Sequence, residues 1–120
     1  MARILVVDDD SMAVRMIGFM LKKLGHESIG ASNGTQCIAH LKSEQPDLVL
    51  LDVEMPGENG LDVLEKIRSD SDISAAKVCL MSGTVDDSLC ERAEKLGSLG
   101  FLSKPVAAAE LMDIMKKAEI

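Results

Sequence analysis

Groups that could do chemistry together stand at four places along the chain. Asp8, Asp9 and Asp10 follow the apolar run Ile4-Leu5-Val6-Val7. Asp52 ends a second apolar run, Leu48 to Leu51. Ser82 ends a third, and Lys104 comes just after a fourth. Two carboxylates about 4 Å apart repel by roughly 4 kcal/mol at an effective dielectric near 20. Acids that converge therefore take up a proton or gather around a cation. Carboxylate oxygens suit a hard divalent ion, Mg2+ before Ca2+. Few protein ligands and an open side favour an ion that keeps waters and shares a phosphate oxygen. Lys104 adds a point charge for the other side of a phosphoryl group. The Ser82 hydroxyl can donate to a phosphoryl oxygen. Cation, lysine and hydroxyl around one carboxylate make a site for phosphoryl transfer onto that carboxylate.

Each residue also has a plainer use. Asp10 or Ser11 reads as the cap of a helix. Asp52 alone would be a turn residue, and Lys104 alone a solvated one. The functional reading depends on the fold bringing them to one edge.

The elements that would do so alternate along the chain. Apolar strands are expected at residues 3–8, 27–31, 47–52, 77–82 and 99–103. Helices are expected at 14–24, 35–44, 61–68, 86–96 and 106–119. Gly25 and Gly97 close two of the helices, and residues 53–60 form a Gly/Pro/Asn-rich loop. Continuous apolar strands separated by helices predict an α/β fold, a parallel sheet covered on both faces. Right-handed crossovers then put all strand C-termini on one edge, where such sheets bind ligands. Strands one and three bring the acids there, strand four the hydroxyl and strand five the lysine. In the first helix, Met16, Ile17, Met20, Leu21 and Leu24 share helical spacing, and its methionines read as core filler. His26 and His40 read as surface residues.

The 120 residues fit one domain, 1–120, with a real core. Hydrophobic residues make up 47% of the chain, a globular composition. No apolar run approaches the roughly 20 residues of a membrane span, and the N-terminus is not a signal peptide. Cys37, Cys79 and Cys90 are widely spaced, which points to buried free thiols in a reducing cytoplasm. The net charge of −7 argues against direct nucleic-acid binding or a membrane surface.

The stretches ILVVDDDS, PDLVLLDVEMPGENG, CLMSGT and GFLSKPV, in that order, resemble the receiver domain of bacterial two-component response regulators. The resemblance covers essentially the whole chain. It implies a doubly wound, five-stranded parallel sheet in the order 2-1-3-4-5 with five helices, the flavodoxin-like receiver fold. By this resemblance Asp52 is the phosphoacceptor and Asp9 a direct Mg2+ ligand. Asp8 is the acid that holds a metal-bound water, and the Glu54 backbone carbonyl is a further metal ligand. Lys104 binds the phosphoryl group, and the Lys104–Pro105 peptide is cis. Ser82 and Phe101 form a switch. The hydroxyl moves inward, the ring moves after it, and the surface of the fourth helix, fifth strand and fifth helix changes.

The resemblance further implies a phosphohistidine donor, either a sensor histidine kinase or a histidine phosphotransfer protein. The signal would pass to a downstream effector or to an output domain missing from this chain. Family members often form homodimers through the same switch surface. Apart from its own phosphorylation and dephosphorylation, such a domain is not an enzyme. The chain end falls inside the expected last helix, which favours a receiver cut from a longer protein over a single-domain regulator.

Three departures stand out. Ser82-Gly83 replaces the commoner Thr-Ala, Phe101 lacks a Tyr hydroxyl, and Glu54 and Thr84 occupy two positions that tune phosphoryl lifetime. A rival is a haloacid-dehalogenase-type phosphatase using Asp8 and Asp10. Met12 stands where that motif wants Thr or Val, and the chain has no cap insertion. A flavodoxin-like electron carrier would want a Ser/Thr/Gly-rich first loop. A pseudo-receiver would have lost site residues, and none is lost.

Overall fold

The computed structural model describes residues 2–120. Five strands, β1 (Arg3–Val7), β2 (Glu27–Ala31), β3 (Leu48–Asp52), β6 (Val78–Ser82) and β7 (Phe101–Ser103), form one parallel sheet in the order β2-β1-β3-β6-β7. Counting only these strands, that is the expected 2-1-3-4-5. The helices are α1 (Ser11–Lys23), α2 (Gly34–Glu44), α3 (Gly60–Ser69), α4 (Asp87–Lys95) and α5 (Ala108–Lys117). Residues 53–60 are not simply the expected loop. They hold a small antiparallel hairpin of β4 (Glu54–Met55) and β5 (Glu58–Asn59).

Alternation along the buried strands splits the core in two. Leu5, Val7, Val49, Leu51, Val78 and Leu80 face one way, against α2, α3 and α4. Ile4, Val6, Leu48, Leu50, Cys79 and Met81 face the other way, against α1 and α5. Fully burying a Leu, Ile or Val side chain contributes about 1.5–3 kcal/mol. Both layers therefore hold the strand ends rigidly in place. The starts of α1 to α4, but not of α5, are capped by side chains that spare the first N–H groups from burial without a partner. Asp10 accepts from the Met12 N–H, Asn33 from Gln36, Asn59 from Leu61 and Asp86 from Leu89. Helices α1 and α4 end before Gly25 and Gly97, at φ of 87° and 72°. That left-handed conformation favours glycine just past a helix end.

Several expectations are corrected. Helix α1 begins at Ser11, three residues before the apolar pattern, because Asp10 can cap it there. Its buried face is Ile17 and Leu21, while Met16 is 57% exposed and Met20 only partly buried. The methionines are thus not all core filler, and Met12 and Phe19 join Met16 on the exposed side. Cys37 and Cys79 are buried, but Cys90 is exposed. Burial pushes both buried thiols up to about 12, with Glu58 adding to the effect at Cys37 and Lys117 opposing it at Cys79. His26 is half-buried, and its Nδ1 accepts from the Ala2 N–H at 2.9 Å. The last helix runs only from Ala108 to Lys117, not from 106 to 119. No helix among the described residues is long and apolar enough to cross a membrane.

Candidate functional site

The site is built from the C-terminal ends of β1, β3, β6 and β7. Asp8 leaves β1 with its backbone N–H bonded to the Ala31 carbonyl of β2 at 3.0 Å. Asp52 is the last residue of β3, and the next residue, Val53, donates to the Met81 carbonyl of β6. Lys104 comes just after β7, and its backbone N–H donates to the Ser82 carbonyl at 3.1 Å. Each functional group is thus fixed by a ladder bond to the neighbouring strand.

Asp8 and Asp52 are held in the same way. Asp8 Oδ1 accepts from the Asp10 N–H at 3.0 Å, and Asp52 Oδ1 from the Glu54 N–H at 3.1 Å. Both Oδ2 atoms point at Lys104, whose Nζ lies 2.9 Å from Asp8 and 3.0 Å from Asp52. The two carboxylates are fully buried, and neither Oδ2 has an aligned hydrogen bond from any group among the described residues. Asp9 is exposed, and carboxylate oxygens of Asp8, Asp9 and Asp52 lie within 4.8 Å of one another.

Burial raises the Asp52 carboxyl to about 6, and the Asp8 charge adds to the rise. The Lys104 ammonium and the Glu54 N–H pull the other way without cancelling it. Burial lowers Lys104, but the two acids outweigh it and hold the ammonium above its ordinary value. One ammonium therefore faces three carboxylates, an excess of negative charge in a half-enclosed place. Three convergent acids, two of them buried with a single ammonium between them, fit a hard divalent cation.

The remaining expected residues have distinct places. Ser82 is 1% exposed, and the partners of its hydroxyl are Glu54 and Thr84 rather than Asp52. Its hydroxyl lies 2.6 Å from the Thr84 carbonyl and 3.0 Å from Glu54 Oε1. Phe101 is half-buried and packs on the core layer under α2, α3 and α4. The Lys104–Pro105 peptide is cis. Asp10 stays outside the acid cluster and caps α1 through its carboxylate. A phosphatase that needs Asp8 and Asp10 side by side gains no support from that arrangement.

Two features were not foreseen. The sequence pointed to Glu54 for its backbone and its charge, not for a bond to Ser82. The Ser-Gly-Thr sequence signals only the bonds between Ser82 and the Thr84 backbone, since Ser and Thr hydroxyls commonly bond backbone two residues on. Gly60 read only as the end of a loop. A Cβ there would collide with the Asp52 carbonyl oxygen and sit 2.8 Å from the Val53 Cα. The Gly60 N–H donates to the Val53 carbonyl at 2.9 Å, so the hairpin returns hard against the acid strand. Gly60→Ala should therefore lower stability by about 2–4 kcal/mol, from overpacking against immovable backbone. Urea unfolding checks this, and a loss under about 1 kcal/mol would show that the hairpin can move away.

The family model of the response regulator receiver domain matches residues 4–116. The chain belongs to this family. Its receiver sequence is 34% identical over 112 residues to PilH of Pseudomonas aeruginosa, covering 93% of each chain. It is 36% identical over 110 residues to the DNA-binding response regulator MtrA of Mycobacterium tuberculosis. It spans 47% of that longer protein. The receiver fold matches the chemotaxis protein CheY4 of Vibrio cholerae with a TM-score of 0.91 at 23% identity, over 98% of both chains. A response regulator receiver protein of Pseudomonas putida matches with a TM-score of 0.89 at 28% identity, over 97% of this chain and 96% of that one. The receiver is a signalling regulator of the two-component type.

Proposed function

We propose that this receiver accepts a phosphoryl group on Asp52. The donor is the phosphohistidine of a sensor histidine kinase or of a histidine phosphotransfer protein. The observation that carries this reading is the Lys104 ammonium set between two buried carboxylate oxygens that have no other partner among the described residues. Above about pH 6 the Asp52 carboxylate is ionised and nucleophilic. One of its oxygens attacks phosphorus, the P–N bond breaks, and the imidazole nitrogen leaves with the electron pair. Lys104 neutralises charge on the phosphoryl oxygens, and Ser82 donates to one of them after turning inward. The side chains of Asp8, Asp9 and Asp52 with the Glu54 carbonyl would hold Mg2+. When bound, this ion supplies further charge neutralisation.

Phe101 then moves into the space that Ser82 leaves, which alters the surface of α4, β7 and α5. A downstream effector or an attached output domain reads that surface, and a homodimer can form through it. The net charge of −7 fits a protein partner rather than nucleic acid. In this reading residues 1–120 act as one receiver in the cytoplasm. It releases no external product.

Acetyl phosphate with Mg2+, and then intact mass measurement, tests the proposal. The wild type should gain one phosphoryl group, and Asp52→Asn or added EDTA should abolish the gain. No gain on the wild type, under conditions that preserve acyl phosphates, would overturn it. Modification that survives Asp52→Asn and is lost in Asp8→Asn would make Asp8 the nucleophile instead.

A further inference from the structure

Glu54 enters the site twice. Its backbone N–H donates to Asp52 Oδ1. Its exposed side chain also reaches Ser82, with Oε1 3.0 Å from Ser82 Oγ. Pairing of Glu54 with Asn59 in the hairpin fixes the backbone from which that side chain springs. The Ser82 hydroxyl accepts from the Thr84 N–H at 3.1 Å. It has one proton to give, and two acceptors already compete for it, the Thr84 carbonyl at 2.6 Å and Glu54 Oε1. A phosphoryl oxygen on Asp52 would be a third competitor.

We propose that Glu54 is a positioning residue that acts through Ser82, its carboxylate holding the hydroxyl outward until a phosphoryl group displaces it. The inference rests on the phosphoacceptor reading above. The outward arrangement gives Ser82 two acceptors and one donor without any phosphoryl group. Turning inward exchanges the Glu54 bond for one to phosphate. The arriving group carries negative charge and strong acceptor oxygens. It competes with the Glu54 carboxylate for the same Ser82 proton. Glu54 thus biases the receiver toward the outward state, and the bias lasts only while Ser82 is there to be held.

Fluoroberyllate, a stable mimic of the phosphoryl group, can be titrated with Mg2+ into the wild type, Glu54→Ala, Ser82→Ala and the double variant. Glu54→Ala should tighten binding about fivefold where Ser82 is present, the equilibrium weight of one net hydrogen bond. In the Ser82→Ala background it should change nothing. An equal gain in both backgrounds would mean simple charge repulsion and would overturn the proposal, as would no gain in either. A second measurement needs neither ion nor ligand. Amide NMR of the metal-free protein should show the Ser82 and Thr84 resonances shifted by Glu54→Ala, and unmoved resonances would also overturn it. If the wild type fails to bind fluoroberyllate at all, the phosphoacceptor reading falls and takes this one with it. Wild-type binding without coupling removes only the role of Glu54.

Discussion

Lys104→Met should be the most damaging single change at the strand ends, for stability and for chemistry alike. Among the described residues its Nζ is the single cation paired with both buried oxygens, 2.9 Å from Asp8 and 3.0 Å from Asp52. Removing it leaves two desolvated carboxylates facing each other. Breaking a buried pair from one side costs about 3–5 kcal/mol. The lysine side chain is 29% exposed, so water takes up part of the loss and about 3 kcal/mol is expected at pH 7.5. For a domain of this size that lowers the melting temperature by roughly 10 °C. The cost should shrink on acidification, because protonated carboxyls no longer need the ammonium. On the proposed function, the rate of phosphorylation by acetyl phosphate should also fall by about a hundredfold, the usual order for one lost charge-stabilising donor. Calorimetry at two pH values and a time course by mass would check both. A variant that melts like the wild type at pH 7.5 would show that the two acids do not depend on Lys104.

The position of this cluster was legible because it depends on periodicity and order. Buried parallel strands read as unbroken apolar runs, and the residues at the C-terminal end of every run must lie on one edge. Asp8, Asp52, Ser82 and Lys104 therefore fall on one edge by the order of the runs alone. Details set by side-chain direction were not legible. Met16 and Ile17 are adjacent and both apolar, yet successive helical residues point about 100° apart. The buried stripe runs through Ile17 and Leu21 and leaves Met16 in water. In α4 Cys90, expected as a buried thiol, is exposed, and the buried residue of that helix is Ala93. Arg68 stands at the end of the helix expected over 61–68, with nothing else in the sequence to single it out. In the structure its guanidinium donates to the carbonyls of Ser74, Ala76, Leu96 and Gly97, tying the end of α3 to the loop before β6 and the end of α4. No local pattern announces a bond across 28 residues. The Glu54–Ser82 bond escaped for the same reason, since it too spans 28 residues and joins two separate elements.

Asp52→Asn should make the metal-free protein more stable at pH 8, although it removes the proposed nucleophile. The folded protein holds the Asp52 proton up to about pH 6. The unfolded chain releases it near the ordinary value of about 3.9. Between those two pH values the folded state binds more protons, so wild-type stability falls as pH rises through that window. Above it the full cost of ionising a buried Asp52 remains. The gap between the two values corresponds to about 3 kcal/mol. The value near 6 already includes the pull of Lys104, so a neutral Asn should gain on the order of that same amount. Lowering the pH from 6 to 4 should erase the advantage, because the wild-type carboxyl then becomes neutral as well. Thermal unfolding in EDTA at pH 8, 6 and 4 would measure it. An Asn variant that melts below the wild type at pH 8, or an advantage that ignores pH, would show that Lys104 already compensates the charge. Millimolar Mg2+ should raise the wild-type melting temperature more than that of the variant, since Asp52 is one of the three carboxylates in reach of an ion. The strain in the cluster then becomes affinity for the cation. A neutral site would be more stable but would bind the ion less tightly.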